Sequence, residues 1–308
     1  LTIFIILADS YIEFFAGKNL IGYGKIEEIY GDRIVSFFKD EPIVGAYLNG
    51  FFFIIIGFLF NNYFKKDIKI KLLLFLVTII FIVCVILTGE RSSGIKAIIG
   101  IILFFLLNKK FNLNFKLISL ITFLLVSSII ISNSSFLKAR YITAFYLQIF
   151  DAKERKIFLE ESIYIKLYNS GISVFKDNLL FGVGNKNYRI ATCLPNDEKK
   201  EGKTKNYFCG THPHQVYIEL LSEHGIIGTV ILLSLLFFLI FKNLKIIILS
   251  RNSLQLGCFV YLIINFIPLL PSGSFFSDFN ASIFWINMSL LYACNPKTNI
   301  FYKIKKSI

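Results

Sequence analysis

Apolar residues fall in long runs along this chain rather than in alternation. Seven stretches, at 43–60, 72–88, 95–107, 117–131, 216–241, 254–270 and 281–293, are almost free of charge, and an eighth run, 1–8, opens the sequence. A bilayer core about 30 Å thick asks for roughly 20 apolar residues in a helix, and a chain in lipid must satisfy its own backbone polar groups. The pattern therefore predicts an all-α polytopic membrane protein, a helical bundle of seven full and one partial transmembrane helices. The shorter runs reach the needed length by extending into flanking residues such as Lys96, whose stem can snorkel. There is no initiator Met and no basic segment ahead of 1–8. The opening run is therefore expected to be the end of a span in an N-terminally truncated chain, not a signal peptide.

Charge sets the orientation. The segments 65–71, 108–116 and 242–251 and the C-terminal tail hold 14 Lys/Arg against one acid, Asp67. With seven full spans these four segments fall on one side, which the positive-inside rule makes cytoplasmic. The net charge of +13 is thus explained by topology, and no nucleic-acid partner is implied. The chain divides into transmembrane helices at 1–131 with an outer segment at 9–42, one large periplasmic loop at 132–215, and further helices with a cytoplasmic tail at 216–308. Between Lys138 and Lys205 the large loop holds 13 Lys/Arg and eight Asp/Glu. Loops this long escape the orientation rule, so the surplus fits an anionic ligand. Inside the loop, Tyr164, Tyr168, Ile172, Phe175 and Leu179 recur at helical steps and predict an amphipathic helix, lying on the membrane surface or capping the bundle. The stretch 196–206, rich in Lys, Asp and Glu, is expected to be mobile.

The chemistry concentrates where this loop meets the next span, in Thr211-His212-Pro213-His214-Gln215. Pro213 suits the first turn of a helix. A helix running from there would put His214, Ile218, Leu221, Gly225 and Gly228 on one face. Gly225 and Gly228 would then let a neighbouring helix approach closely. An imidazole at this mouth suits a general base for a hydroxyl nucleophile; the bland alternative is a pair of interfacial histidines bonded to backbone. A metal site from His212, His214 and His224 is disfavoured, since helix phase turns His224 away from His214. Arg91 and Arg140 lie at the outer ends of spans. Their guanidinium forks suit phosphate oxygens, with headgroup anchoring as the alternative; Arg33 and Arg189 are weaker candidates of the same kind. Cys193 and Cys209 are expected to form a disulfide in an oxidising compartment, two free thiols being the alternative. The remaining cysteines, Cys84, Cys258 and Cys294, read as small hydrophobes.

The wider pattern resembles a known family. His214-Gln215, nine residues and then Gly225-x-x-Gly228 is similar to the signature His-[Asn/Ser/Gln]-x9-Gly-x-x-Gly of bacterial O-antigen ligases and O-antigen polymerase-like proteins. Gly182-Val183-Gly184-Asn185, Arg91 in an outer turn and the large loop strengthen the resemblance, and Leu179-Leu180 departs from it where Pro is common. The resemblance implies a metal-independent glycosyltransferase of lipopolysaccharide biosynthesis, needing no cofactor, in the bacterial inner membrane with a periplasmic active face. Its donor would be a glycan on undecaprenyl pyrophosphate. Its acceptor would be lipid A–core, or a growing glycan if the protein is a polymerase, or a protein. His214 would be the catalytic base and Arg91 and Arg140 the pyrophosphate ligands, with Arg33, Arg189, His212 and Gln215 as secondary candidates. Membrane lipids surround all of these. A polysaccharide transporter or flippase would call for charges at mid-span, and the full spans show none. A non-catalytic membrane scaffold would leave His214 dispensable.

Overall fold

The computed structural model describes residues 2–24, 32–39, 41–64, 67–193, 207–299 and 301–302. The stretch 196–206 and several of the basic residues that set the orientation, Lys65, Lys66, Lys303, Lys305 and Lys306, lie outside the described residues. In chain order the helices are α1 (Thr2–Ala16), α2 (Val44–Tyr63), α3 (Ile68–Leu87), α4 (Arg91–Leu107) and α5 (Leu113–Asn133). Next come α6 (Ser135–Lys138), a π turn (Ala139–Thr143), α7 (Ala144–Phe150), α8 (Ala152–Glu161) and α9 (Ile163–Asp177). The last are α10 (Tyr188–Thr192), α11 (Val216–Phe241), α12 (Leu244–Leu249), α13 (Ser253–Ile264) and α14 (Asp278–Ala293). The fold is all-helical.

Among the described residues, four helices are long and apolar enough to cross a membrane: α2, α3, α5, and α11 with its continuation as Val216–Leu249. The protein is a multi-pass membrane protein. Three other expected spans are helical but shorter, with 17 residues in α4, 12 in α13 and 16 in α14. A single span over 254–270 is not what forms. Helix α13 ends at Ile264 because Pro268 disfavours helical geometry at the residue before it, and Leu269 takes a left-handed φ of 67°. The opening run also differs from expectation. Helix α1 carries on to Ala16 with Asp9 and Glu13 fully buried. The Glu13 carboxylate accepts the Val35 and Ser36 N–H groups at 3.0 and 2.6 Å, and Asp9 accepts Leu20 N–H at 2.8 Å.

The chain forms two compact units. One comprises 1–145, 243–265 and 285–308; the other comprises 146–242 and 266–284. In the first, α2 and α13 meet at glycines. A Cβ on Gly257 would collide with the Phe53 carbonyl, and one on Gly57 would lie 2.8 Å from the Ser253 carbonyl oxygen. Apolar side chains gain little by leaving lipid for a protein neighbour, so close packing and polar links do the joining. The links here include Asn108 to Ser253 Oγ at 3.0 Å and Asn287 to the Gly50 carbonyl at 3.2 Å. Phe60, Phe104, Phe105 and Phe111 pack ring against ring at one end of this unit.

In the second unit α9 packs on α11, but through a face different from the expected stripe. Leu167, Ser170, Gly171 and Val174 are buried, whereas Ile172 and Leu179 are exposed. Gly171 admits Pro213 and Ile218 at a distance no larger residue would allow, so the small residues, not the aromatic ones, mark the contact.

Helix α11 breaks at Gly225, whose φ of 62° and ψ of −171° are non-helical and open essentially only to glycine. The turn at 179–184 satisfies the backbone groups freed by the break. Val183 and Gly184 N–H donate to the Ser222 and Glu223 carbonyls at 3.0 and 2.8 Å; Ile226 and Ile227 N–H donate to Leu179 and Leu180 at 2.8 and 3.2 Å. A Cβ on Gly225 would overlap the Leu180 carbonyl, and one on Gly182 would overlap the Glu223 backbone. Gly228 faces the His224 side chain of its own helix. Neither α11 glycine therefore forms the interhelical seam that a continuous helix would have made of them. Gly225→Ala is expected to destabilise the protein by at least about 1–3 kcal/mol, the ordinary cost of a disallowed backbone conformation. Thermal unfolding of the detergent-solubilised full chain checks this, and an unchanged midpoint would contradict it.

Candidate functional site

The histidine segment is shaped by where α11 begins. That helix starts at Val216, with Gln215 as its cap: the buried Gln215 side chain accepts the Ile218 N–H at 2.9 Å. Pro213 therefore precedes the helix, and His214 stands outside it at φ 55°. The single face joining His214 to Ile218, Leu221, Gly225 and Gly228 does not exist. A left-handed φ at a non-glycine residue needs surrounding contacts to hold it. Here the Ser272 N–H donates to the His214 carbonyl at 2.8 Å, and the Tyr164 ring meets the imidazole edge-on at 5.8 Å.

The His212 and His214 rings lie against each other, with centroids 3.9 Å apart and planes tilted by 44°. Thr211 Oγ1 lies 2.9 Å from His212 Nδ1. His212 Nε2 is buried and makes no hydrogen bond among the described residues. Two imidazoles this close, with little water, do not readily both carry a proton. Burial holds His214 below the usual histidine range, and the approach of the Ser272 backbone opposes this only in part. Burial, then the neighbouring His214, pushes His212 down to about 4. The positive end of α11 has the same sign. Both rings are therefore neutral at pH 7, the form in which an imidazole accepts a proton. His224 is elsewhere, against Phe276 at 5.2 Å.

The loop at 272–275 that touches His214 is itself anchored by α11. Glu219 is fully buried, and its carboxylate accepts the Ser274 hydroxyl at 2.5 Å and the Phe275 N–H at 2.9 Å. One turn on, Glu223 accepts the Lys186 N–H at 2.9 Å, and the Lys186 ammonium pairs with Asp278 at 3.2 Å. Cys193 and Cys209 are joined in a disulfide, with Cα atoms 4.6 Å apart, which ties α10 to the segment leading into His212. Arg189 is exposed on α10.

In the other unit Arg33, Arg91 and Arg140 gather around one turn, Thr88–Arg91. Arg140 lies in the π turn, a feature often found at functional sites. Its Nε donates to the Gly89 carbonyl at 2.7 Å and its guanidinium sits 5.7 Å over Phe136. Arg33 packs on Gly89, and its Nε is buried with no hydrogen-bond partner among the described residues. Glu90 caps α2. Its carboxylate accepts Gly45 and Ala46 N–H at 2.5 and 3.1 Å and the Ser93 hydroxyl at 2.9 Å. Burial pushes it up to about 7, against those donors and the attraction of Arg33. Tyr141, which feels Glu90, Arg140 and Arg91, is held in its neutral form mainly by burial. The cluster brings together guanidinium groups, a chemistry that suits phosphate oxygens, beside the Glu90 carboxylate that is engaged in capping α2.

A model of the O-antigen ligase family matches residues 76–233, just over half of the chain and the whole run from α3 through the His segment into α11. The chain belongs to the O-antigen ligase family. No curated protein and no solved structure gives a significant match. Membership of the O-antigen ligase family makes the function broadly one of ligase- or polymerase-type glycan transfer, glycosyltransferase-like, on lipid-linked glycans. Residues that the sequence reading missed are Ser272, Glu219 and Glu90. Each acts through a partner far away in the chain.

The disulfide bridges a separation of 16 residues, for which loop entropy suggests about 3 kcal/mol of stabilisation. Cys193→Ala/Cys209→Ala is expected to lower unfolding stability by roughly that amount, and reductant should lower the wild-type midpoint likewise. A double variant as stable as the parent would contradict it.

Proposed function

We propose that this protein transfers a glycan from undecaprenyl pyrophosphate to an acceptor hydroxyl, with lipid A–core as the acceptor, at the periplasmic face of the bacterial inner membrane. The observation that carries the reading is the pair of closely apposed imidazoles, held towards the neutral form by burial, at the N-terminus of α11 on a chain of the O-antigen ligase family. His214 takes the proton of the acceptor hydroxyl as that oxygen attacks the anomeric carbon of the glycan. The bond from that carbon to the pyrophosphate oxygen breaks, and undecaprenyl pyrophosphate leaves with the bonding pair. Arg91 and Arg140 meet the charge that develops on the leaving group, with Arg33 and Arg189 as further cations and Gln215 fixing the start of the helix. Guanidinium pairs suit pyrophosphate because they engage two oxygens at once. A positioned base contributes typically about 10²–10⁴-fold. No metal or cofactor is called for. The clustering of Lys and Arg in the segments opposite the His loop supports the periplasmic placement.

The test is complementation in a strain lacking its own ligase, with lipopolysaccharide read on a gel at matched expression. His214→Ala is expected to abolish polymer attachment while lipid-linked chains persist. Arg140→Ala should reduce attachment strongly, with Arg140→Lys only partly restoring it, since lysine keeps the charge and loses the fork. Caps of a single repeat would point to a polymerase instead, and wild-type polymer in the His214 variant would sink the assignment of the base.

A further inference from the structure

Two buried polar atoms beside His214 lack a well-formed hydrogen bond among the described residues, His212 Nε2 and Ser272 Oγ. They belong to one place: Ser272 donates its N–H to the His214 carbonyl, the Ser272 backbone also approaches the His212 ring, and the His212 and His214 rings lie 3.9 Å apart. A buried hydroxyl or ring nitrogen left unsatisfied is destabilising, and native structures rarely keep such groups without a ligand, a water or a function. The surroundings are built to hold them. Glu219 fixes Ser274 and Phe275, and Asn280 donates to the Ser274 carbonyl at 2.8 Å, so Ser272 is fastened on both sides, to His214 and to the anchored loop.

We propose that His212 Nε2 and Ser272 Oγ form a subsite for the acceptor sugar, holding an uncharged hydroxyl group of the acceptor next to the one that His214 deprotonates. The inference rests on the reading of His214 given above. Its chemistry separates it from the donor's pyrophosphate. A serine hydroxyl donates and accepts, and an imidazole held neutral by burial offers a donor or an acceptor but no charge. Such a pair matches a sugar hydroxyl, which also does both. A pyrophosphate group calls for the guanidinium groups of the arginine cluster. Ser272 and His212 are positioning residues here, and they bear on acceptor recognition, not on the leaving group.

The experiment uses the purified full chain in detergent, with an undecaprenyl-pyrophosphate-linked glycan as donor and lipid A–core as acceptor, each varied in turn. Loss of one neutral hydrogen bond corresponds to about 2–10-fold. Ser272→Ala is expected to raise the KM for acceptor by about that factor, with the donor KM unchanged. Its melting midpoint should equal or exceed that of the parent, because the Ser272 hydroxyl makes no hydrogen bond among the described residues. Ser272→Thr, which keeps the hydroxyl, should retain most of the acceptor affinity. An unchanged acceptor KM in Ser272→Ala, or an equal rise in the donor KM, overturns the proposal. A fall in melting midpoint that Ser272→Thr repairs without any change in acceptor KM overturns it too, since the hydroxyl would then be structural. His214→Ala in the same assay reads the underlying assignment separately: an active His214→Ala removes the base, whatever Ser272→Ala does to the acceptor KM.

Discussion

A helix that crosses lipid satisfies its own backbone, and α11 ceases to do so at Gly225. The carbonyls of Ser222 and Glu223 and the N–H groups of Ile226 and Ile227 need partners at the break. The turn at 179–184 provides all four. This exchange requires that no side chain stand between the two backbones, which is why glycine occupies both Gly182 and Gly225. Much of the second unit follows from it. With the turn locked to α11, Lys186 is delivered to Glu223, α10 is set beside α9, and the disulfide from Cys193 reaches the segment that ends in the histidines. The break also parts the polar first turns of α11, which carry Glu219 and Glu223, from its apolar remainder.

The histidine site is held by small, specific contacts instead of a large hydrophobic core. Gln215 caps the helix, Ser272 pins His214 in a left-handed conformation, and Glu219 secures the loop that carries Ser272. Burial keeps both imidazoles neutral. In the first unit the electrostatic logic is reversed. Three arginines surround a turn whose carboxylate, Glu90, is occupied in capping α2 and driven towards its neutral form by burial. One unit thus carries the neutral imidazole pair, and the other carries the arginines.

Much of this was legible in the sequence, and the failures have identifiable causes. Apolar runs located the helices, and the spacing from His214 to Gly225 and Gly228 pointed to the site and the family. Helix phase then misled, because a continuous helix was assumed through residues that glycine allows to leave it. A glycine in a run tells nothing of its own φ, and only the approach of Leu180 reveals what Gly225 does. The aromatic stripe of α9 misled for a similar reason. Hydrophobicity marked Tyr164, Ile172 and Phe175, but the packed face belongs to Ser170, Gly171 and Val174, where smallness decides. Ser272, Glu219 and Glu90 escaped notice because their roles depend on contacts between segments far apart in the chain. The 254–270 run looked uniform by hydropathy, yet Pro268 stops helical geometry within it.

The central claim is that the protein keeps His214 unprotonated at the mouth of α11 so that it serves as the base. The pH dependence of glycan transfer by the full chain, followed as kcat/KM for acceptor between about pH 5 and 8, tests this most directly. With its pKa held below the ordinary value of about 6.5, His214 is neutral across the upper part of this range. The rate should stay level there and fall only on the acid side, with a midpoint below 6.5 that disappears in His214→Ala. A rate that falls as pH drops through values above 7, or an acid limb that persists unchanged in His214→Ala, would contradict the account.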